Sequence, residues 1–231
     1  MSDVEYWNGV YQSGQYVRGK IPTNPTSFAR FALPYFQACH SQAASPGTPV
    51  VVEWGCGNGR DSLFFAYSGL NVVATDISST AAAKLRAENH DGLLAVEADF
   101  ASDSFNPLLS QTSFSSPIIA SVYSRFSIHS VSEAGATSAF KWAWKNLAPQ
   151  GTLAIETRSV KDKLFGVGTP VEGERNAWVE DHYRRFTVAS DLRDQLTKIG
   201  FDVVFFEENS GFAAFGQEDP ICIRAVVAKP E

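Results

Sequence analysis

Apolar and polar positions along this chain fall into two kinds of run. Short β-branched runs, each bounded by a turn residue, read as strands: Val50–Trp54, "NVVATDIS" from Asn71, "GLLAVEAD" from Gly92, "SPIIASVYS" from Ser116 and "GTLAIETRS" from Gly151. Longer stretches with helical periodicity alternate with them: Arg60–Ser68, Ser78–Asn89, Val131–Leu147 and Val188–Ile199. Their ends carry the expected punctuation. Ser78 or Ser79 can cap the second helix, Pro149–Gly151 follow the third, and Gly200 stops the last. "FDVVFFEEN" and "ICIRAVVAK" close the chain as two strands with no helix between them.

Strands separated by helices predict an α/β fold with a mostly parallel sheet covered on both faces, and the closing pair predicts an antiparallel hairpin at one edge. Ser41–Pro49 is a polar Pro/Gly-rich connector, and Val160–Phe186 shows no regular period. The expected organisation is a single domain over 1–231. A helical extension or lid with its linker takes 1–49, a ligand-binding core 50–158, an insertion 159–187, and a closing helix and hairpin 188–231.

Composition narrows the class. With 231 residues, 44% hydrophobic and 19% charged, the chain can bury a sizeable core. The net charge of −6, with no Lys/Arg run, argues against a nucleic-acid partner. Cys39, Cys56 and Cys222 stand at no metal-ligand or disulfide-framework spacing, so no metal is expected. The N-terminus lacks a signal-peptide pattern and no apolar run is long enough to span a bilayer, so no membrane partner and a cytoplasmic location are expected.

The first strand runs into Gly55, Gly57 and Gly59, where a bare backbone lets a ligand approach the amides. A P-loop needs Gly-Lys-Ser/Thr after the turn, and Arg60-Asp61 follows instead. The dinucleotide fingerprint needs a glycine where Arg60 stands, which disfavours a nicotinamide-dependent oxidoreductase. Asp76 at the end of the second strand can take both hydroxyls of a ribose, and Asp99 ends the third strand beside an adenine position.

With "VVEWGCGNGRDS", "VVATDIS", "VEADF", "SVYSRFSIHSV" and "GTLAIETRS" in this order and spacing, the chain resembles the Rossmann-like, class I S-adenosylmethionine (SAM) dependent methyltransferases over about residues 50–158. The closing hairpin extends the match. The resemblance implies a seven-stranded sheet with an antiparallel C-terminal strand and SAM as cofactor. Glu53 and the loop Gly55, Cys56, Gly57, Asn58 and Gly59 would hold the methionine moiety. Asp76 with Ile77 would hold the ribose, Asp99 with Phe100 the adenine, and Ser124 and Arg125 would complete the contacts.

On the acceptor side, the Asn-Pro-Pro-Tyr type motif of nucleic-acid amino-methylating members is replaced by Tyr123-Ser124-Arg125-Phe126, which points to a small-molecule acceptor. His129 is the candidate general base, because imidazole titrates near neutrality. Tyr6, Trp7, Tyr11 and Tyr16 are candidate lid residues. Arg125, Arg158, Arg184 and Arg185, with His182, are candidates for holding a carboxylate or phosphate by forked hydrogen bonds. The expected activity is methyl transfer to a small polar or anionic molecule, with O-methylation slightly favoured over N-methylation. A non-catalytic SAM-binding regulatory module is the alternative from another class.

Overall fold

The computed structural model describes residues 3–13, 24–42, 47–105, 107 and 112–231. Two helices, α1 (Asp3–Ser13) and α2 (Ser27–Gln42), precede strand β1 (Thr48–Trp54). Then come α3 (Arg60–Tyr67), β2 (Asn71–Asp76), α4 (Ser79–Arg86), β3 (Leu93–Glu97), β4 (Pro117–Arg125), α5 (Glu133–Asn146) and β5 (Thr152–Arg158). The chain closes through β6 (Thr169–Pro170), β7 (Ala177–Val179), β8 (Tyr183–Arg185), α6 (Ala189–Ile199), β9 (Asp202–Asn209) and β10 (Cys222–Ala228).

The main sheet has seven strands in the order β3-β2-β1-β4-β5-β10-β9. Neighbours from β3 through β5 pair in parallel, and β10 pairs antiparallel with both β5 and β9. The expected fold class is therefore observed. Both faces are dry, as the continuous apolar runs require. Val50, Val52 and Trp54 point into one core with Phe140, Leu192 and Leu196, while Val51 points into the other with Phe36, Phe65 and Tyr123.

Two segments read differently in three dimensions. Helix α2 is a core layer rather than a cover: Phe28, Ala29, Ala32 and Phe36 recur at helical spacing and are fully buried. The segment without a sequence period contains a second, three-stranded antiparallel sheet, β6-β7-β8. Strands of two or three residues are too short to show alternation. This sheet is held by Trp178, whose ring lies 4.6 Å from Phe165 and 5.8 Å from Phe186. Strand order reverses between β2 and β4 on either side of β1, which opens a crevice beyond the carboxyl ends of these strands.

Candidate active site

The loop after β1 occupies that crevice. Gly55, Gly57 and Gly59 all have positive φ, at 67°, 55° and 76°, but they serve different neighbours. A Cβ on Gly55 would stand 2.8 Å from Ser127 Cβ, and one on Gly57 would stand 2.8 Å from the Tyr11 hydroxyl. A Cβ on Gly59 would stand 2.5 Å from Leu85 Cδ1, inside the core. The third glycine thus lets α4 pack against the loop, and the first two leave room where the loop meets the crevice.

Asp76 braces the loop from the end of β2. Its Oδ2 accepts from the Gly57 amide at 2.8 Å and its Oδ1 from the Ser78 amide at 2.9 Å. Burial raises its pKa, and the two amide hydrogen bonds oppose that shift. Ser78 in turn caps α4 by accepting from the Ala81 amide at 3.2 Å. On the far side of the loop Glu53 is buried against Ser62, which donates to its Oε2. Desolvation and the nearby Asp61 carboxylate push the Glu53 carboxyl well above its ordinary value.

A cavity of about 540 Å³ lies over these groups. Its floor and one end are Gly55, Asp76, Ile77, Asp99 and Phe100, and Trp54 stacks beneath Phe100 at 5.5 Å. The turn after β4 (Phe126, Ser127, Ser130) and the start of α5 form a side wall. Helix α1 forms the roof through Asp3, Trp7 and Tyr11, and the β6–β8 insertion closes the remaining end with Glu174 and Tyr183. The roof is pinned on two sides. Asn8 Oδ1 accepts from Ser78 Oγ at 2.7 Å and from the Thr80 amide at 3.3 Å. Opposite, the Tyr6 hydroxyl lies 3.1 Å from His182 Nδ1, and the Trp7 ring is 5.1 Å from the His182 ring.

Of the residues singled out in the sequence, the cavity brings together Trp7, Tyr11, Gly55, Asp76, Ile77, Asp99 and Phe100. Glu53, Cys56, Gly57, Asn58, Gly59 and Ser124 support it from behind. Asn58 Oδ1 accepts from the Arg60 amide at 3.2 Å at the start of α3, and Ser124 Oγ lies 2.6 Å from Ser127 Oγ. Tyr6 and His182 hold the roof, and Tyr16 lies outside the described residues.

The arginine expectation is corrected. Arg125 Nε donates to Glu156 at 2.9 Å, and Arg158 donates to Asp162 at 3.0 Å. Arg184 pairs with Asp181 at 2.9 Å and Glu180 at 3.3 Å, and Arg185 Nε donates to the Val131 carbonyl at 3.1 Å. None of the four lines the cavity. Pairing with the nearby acids is the competing reading of the sequence, and Glu180 and Asp181 do take Arg184, whereas Glu156 reaches Arg125 from the neighbouring strand and Arg185 is held by a backbone carbonyl.

His129 is also displaced from its expected place. It sits in a single 3₁₀ turn, Ile128–Ser130, buried, with its ring stacked on Phe126 at 5.4 Å and Nδ1 without a partner among the described residues. Desolvation, then the positive charge of Arg158, lowers its pKa well below 6.5. It backs the wall residue Phe126 rather than forming the wall.

Sequence reasoning missed Asp3, Phe126, Ser127, Glu174 and Tyr183. Phe126 and Ser127 stood inside a motif already quoted, and Phe126 adopts φ 53°, a strained value for an aromatic residue. Its ring is flanked by the Arg125 guanidinium at 4.5 Å, and Glu156 anchors that guanidinium together with Arg224.

Comparison with known proteins adds the following. A methyltransferase-domain family matches residues 28–205. No curated protein matches the sequence. Among solved structures, the CcbJ methyltransferase from Streptomyces caelestis superposes with a TM-score of 0.68 at 15% identity, covering 100% of both chains. The Burkholderia thailandensis 1,6-didemethyltoxoflavin-N1-methyltransferase gives 0.57 at 14% identity over 96% of this chain and 85% of that one. The [4+2]-cyclase SpnF gives 0.64 at 15% identity over 98% and 95%. At these identities the likeness is one of fold.

Proposed function

This chain belongs to the class I SAM-dependent methyltransferases, and we propose that it methylates a small polar molecule held in the cavity between α1, the turn after β4 and the β6–β8 insertion. The observation that carries this reading is the cavity itself. One end has the Asp76 carboxylate and the Gly55 backbone, and the other has aromatic and polar side chains from two separate segments that roof and close it.

The residues fit the cofactor. A carboxylate at the end of β2, fixed by two amide donors, keeps lone pairs for ribose hydroxyls. Gly55 lets the loop lie against Ser127 of the side wall, where a Cβ would collide, and Asp99 with Phe100 offers an acceptor and a flat ring for adenine. When bound, SAM supplies an electrophilic methyl group on a sulfonium, a good leaving group. The work left to the chain is to align the acceptor and exclude water. Trp7 and Tyr11 cover the cleft, and Phe126, packed against Arg125 and His129, gives a fixed wall against which an acceptor aligns.

His129 is assigned a positioning role behind Phe126. The preference for O-methylation rested on its acting as a base, and its burial outside the wall removes that ground. Arg125, Arg158 and Arg184 pair with carboxylates, Arg185 donates to a backbone carbonyl, and none of the four lines the cavity, which likewise removes the ground for an anionic acceptor. A net charge of −6 and the acidic residues of the cavity support a small molecule rather than a nucleic acid. The buried, unpaired Cys39, Cys56 and Cys222 suit a reducing cytoplasm.

The test is calorimetric titration with S-adenosylhomocysteine, followed by transfer of labelled methyl from SAM into fractionated small-molecule extracts. Binding with label in a small acceptor is expected. Binding without transfer to any fraction would make the protein a regulatory SAM-binding module, and absence of binding would refute the cavity assignment.

A further inference from the structure

The cavity wall has one sign of charge. Asp3, Asp76, Asp99, Asp103 and Glu174 line it, and no Lys, Arg or His among the described residues does. The adenosine-holding end accounts for Asp76 and Asp99, with Asp103 beside them. Asp3 and Glu174 remain at the opposite end, on the roof and the insertion, with no cofactor duty to explain them.

Glu174 is built into this corner. The Tyr183 hydroxyl donates to its Oε2 at 2.6 Å and shares that hydrogen with the Val131 carbonyl at 3.4 Å. Its Oε1 has no hydrogen-bond partner among the described residues. Arg185, whose charge is felt by Glu174 and Tyr183, is tied through Nε to the Val131 carbonyl and does not line the cavity. The negative surroundings are felt by Tyr183, whose phenol is pushed far up by burial, by its bond to Glu174 and by the charges of Glu174 and Asp3.

A second, independent feature points the same way. Trp7, Phe126 and Tyr183 line the cavity, so aromatic rings stand among these carboxylates. Ring faces attract cations through their quadrupole, and rings combined with carboxylates make the chemistry of ammonium recognition. An anion in the same corner would meet two carboxylates and no donor cation.

From this geometry, and resting on the methyltransferase reading above, we infer that the acceptor substrate carries an amino group that is cationic at neutral pH, seated between Glu174, Asp3 and the aromatic rings of Trp7 and Tyr183. The corner acts as a specificity filter. It selects acceptors by charge before the methyl group is aligned, and it disfavours free carboxylates and phosphate esters.

The experiment uses the full chain saturated with S-adenosylhomocysteine, which lacks the sulfonium charge and so does not repel an amine. Three matched probes, benzylamine, benzyl alcohol and benzoate, are titrated by calorimetry and by Trp fluorescence. Benzylamine is expected to bind about tenfold or more tightly than either analogue, the scale of one charge-assisted hydrogen bond. Glu174→Gln should remove about tenfold of that preference and leave benzyl alcohol unchanged. Asp3→Asn, on the exposed roof where the fold is not at stake, should reduce it by about threefold, as expected of a more exposed charge.

S-adenosylhomocysteine binding to each variant is measured first. If it fails in the wild-type protein, the cofactor reading is wrong, and the inference falls with it. If it holds, the inference is overturned by any of three results. These are no detectable amine binding, equal or tighter binding of the alcohol or carboxylate, or an amine preference unchanged in both variants.

Discussion

Asp76→Asn is the sharpest perturbation of the cofactor end, because the side chain keeps its shape and loses only charge and one acceptor. In the native protein both carboxylate oxygens accept from backbone amides, Gly57 at 2.8 Å and Ser78 at 2.9 Å. An amide in the same place has one acceptor oxygen, and its NH₂ must face the second backbone N–H, donor against donor. Leaving a donor unsatisfied costs about 1–3 kcal/mol. Part of that is offset, since burial already disfavours the native charge and raises its pKa. The expected loss of folding stability is therefore small, about 1 kcal/mol. Ligand affinity should suffer more. Two ribose hydroxyls need acceptors, and the amide oxygen is already committed to an N–H group. Losing charge-assisted bonds of about 1.5–3 kcal/mol, partly replaced by water, predicts S-adenosylhomocysteine binding weakened by about 2–3 kcal/mol, or roughly 30- to 150-fold. Calorimetry gives the affinity and urea unfolding the stability. A variant that binds within about threefold of the native protein would reduce Asp76 to a brace for the loop and a support for the α4 cap.

The glycines of the loop should separate by phenotype. Gly57→Val should fold with a loss of about 1–2 kcal/mol from its positive φ and lose the thermal shift given by S-adenosylhomocysteine, because its Cβ meets only the movable Tyr11 hydroxyl. Gly59→Val should instead lower the melting temperature itself, since its Cβ collides with the buried Leu85. The opposite ranking in a thermal-shift assay would show the loop to be misassigned. His129 should make stability fall on acidification. Its folded pKa lies well below 6.5, so the unfolded chain takes up a proton first, and stability is lost below about pH 6.5 with a slope up to about 1.4 kcal/mol per unit. The raised carboxyl of Glu53 works in the opposite sense. The check is therefore the difference between urea profiles of the native protein and His129→Gln, and coincident profiles would refute the assignment of a buried neutral imidazole.

The main sheet was legible because its strands announce themselves locally. Val50–Trp54 is too short and too branched for a helix, and a turn glycine ends it at a point any α/β sheet requires. The caps were equally local: of the two serines considered, Ser78 holds the Ala81 amide. The β6–β8 insertion was not legible, because its three short strands depend on Trp178 packing between Phe165 and Phe186 rather than on alternation.

The site divides along the same line. The sequence by itself picked out the glycine loop, Asp76 and the Asp99-Phe100 pair as candidates, since glycines and acids at the ends of successive strands are visible in the chain, and the fold sets Gly55, Asp76, Asp99 and Phe100 along one cavity. Only the tertiary structure decided which side chains line the other end of the cavity. Arg125 looks like an anion binder until Glu156 is brought beside it from the neighbouring strand, and His129 looks like a base until the fold buries it behind Phe126. Glu174 and Asp3, 171 positions apart in the chain, become one acidic corner only when α1 lies across the insertion. Charge and reactivity depend on which groups are nearest in space, and for side chains at the ends of long connections the sequence does not specify that distance.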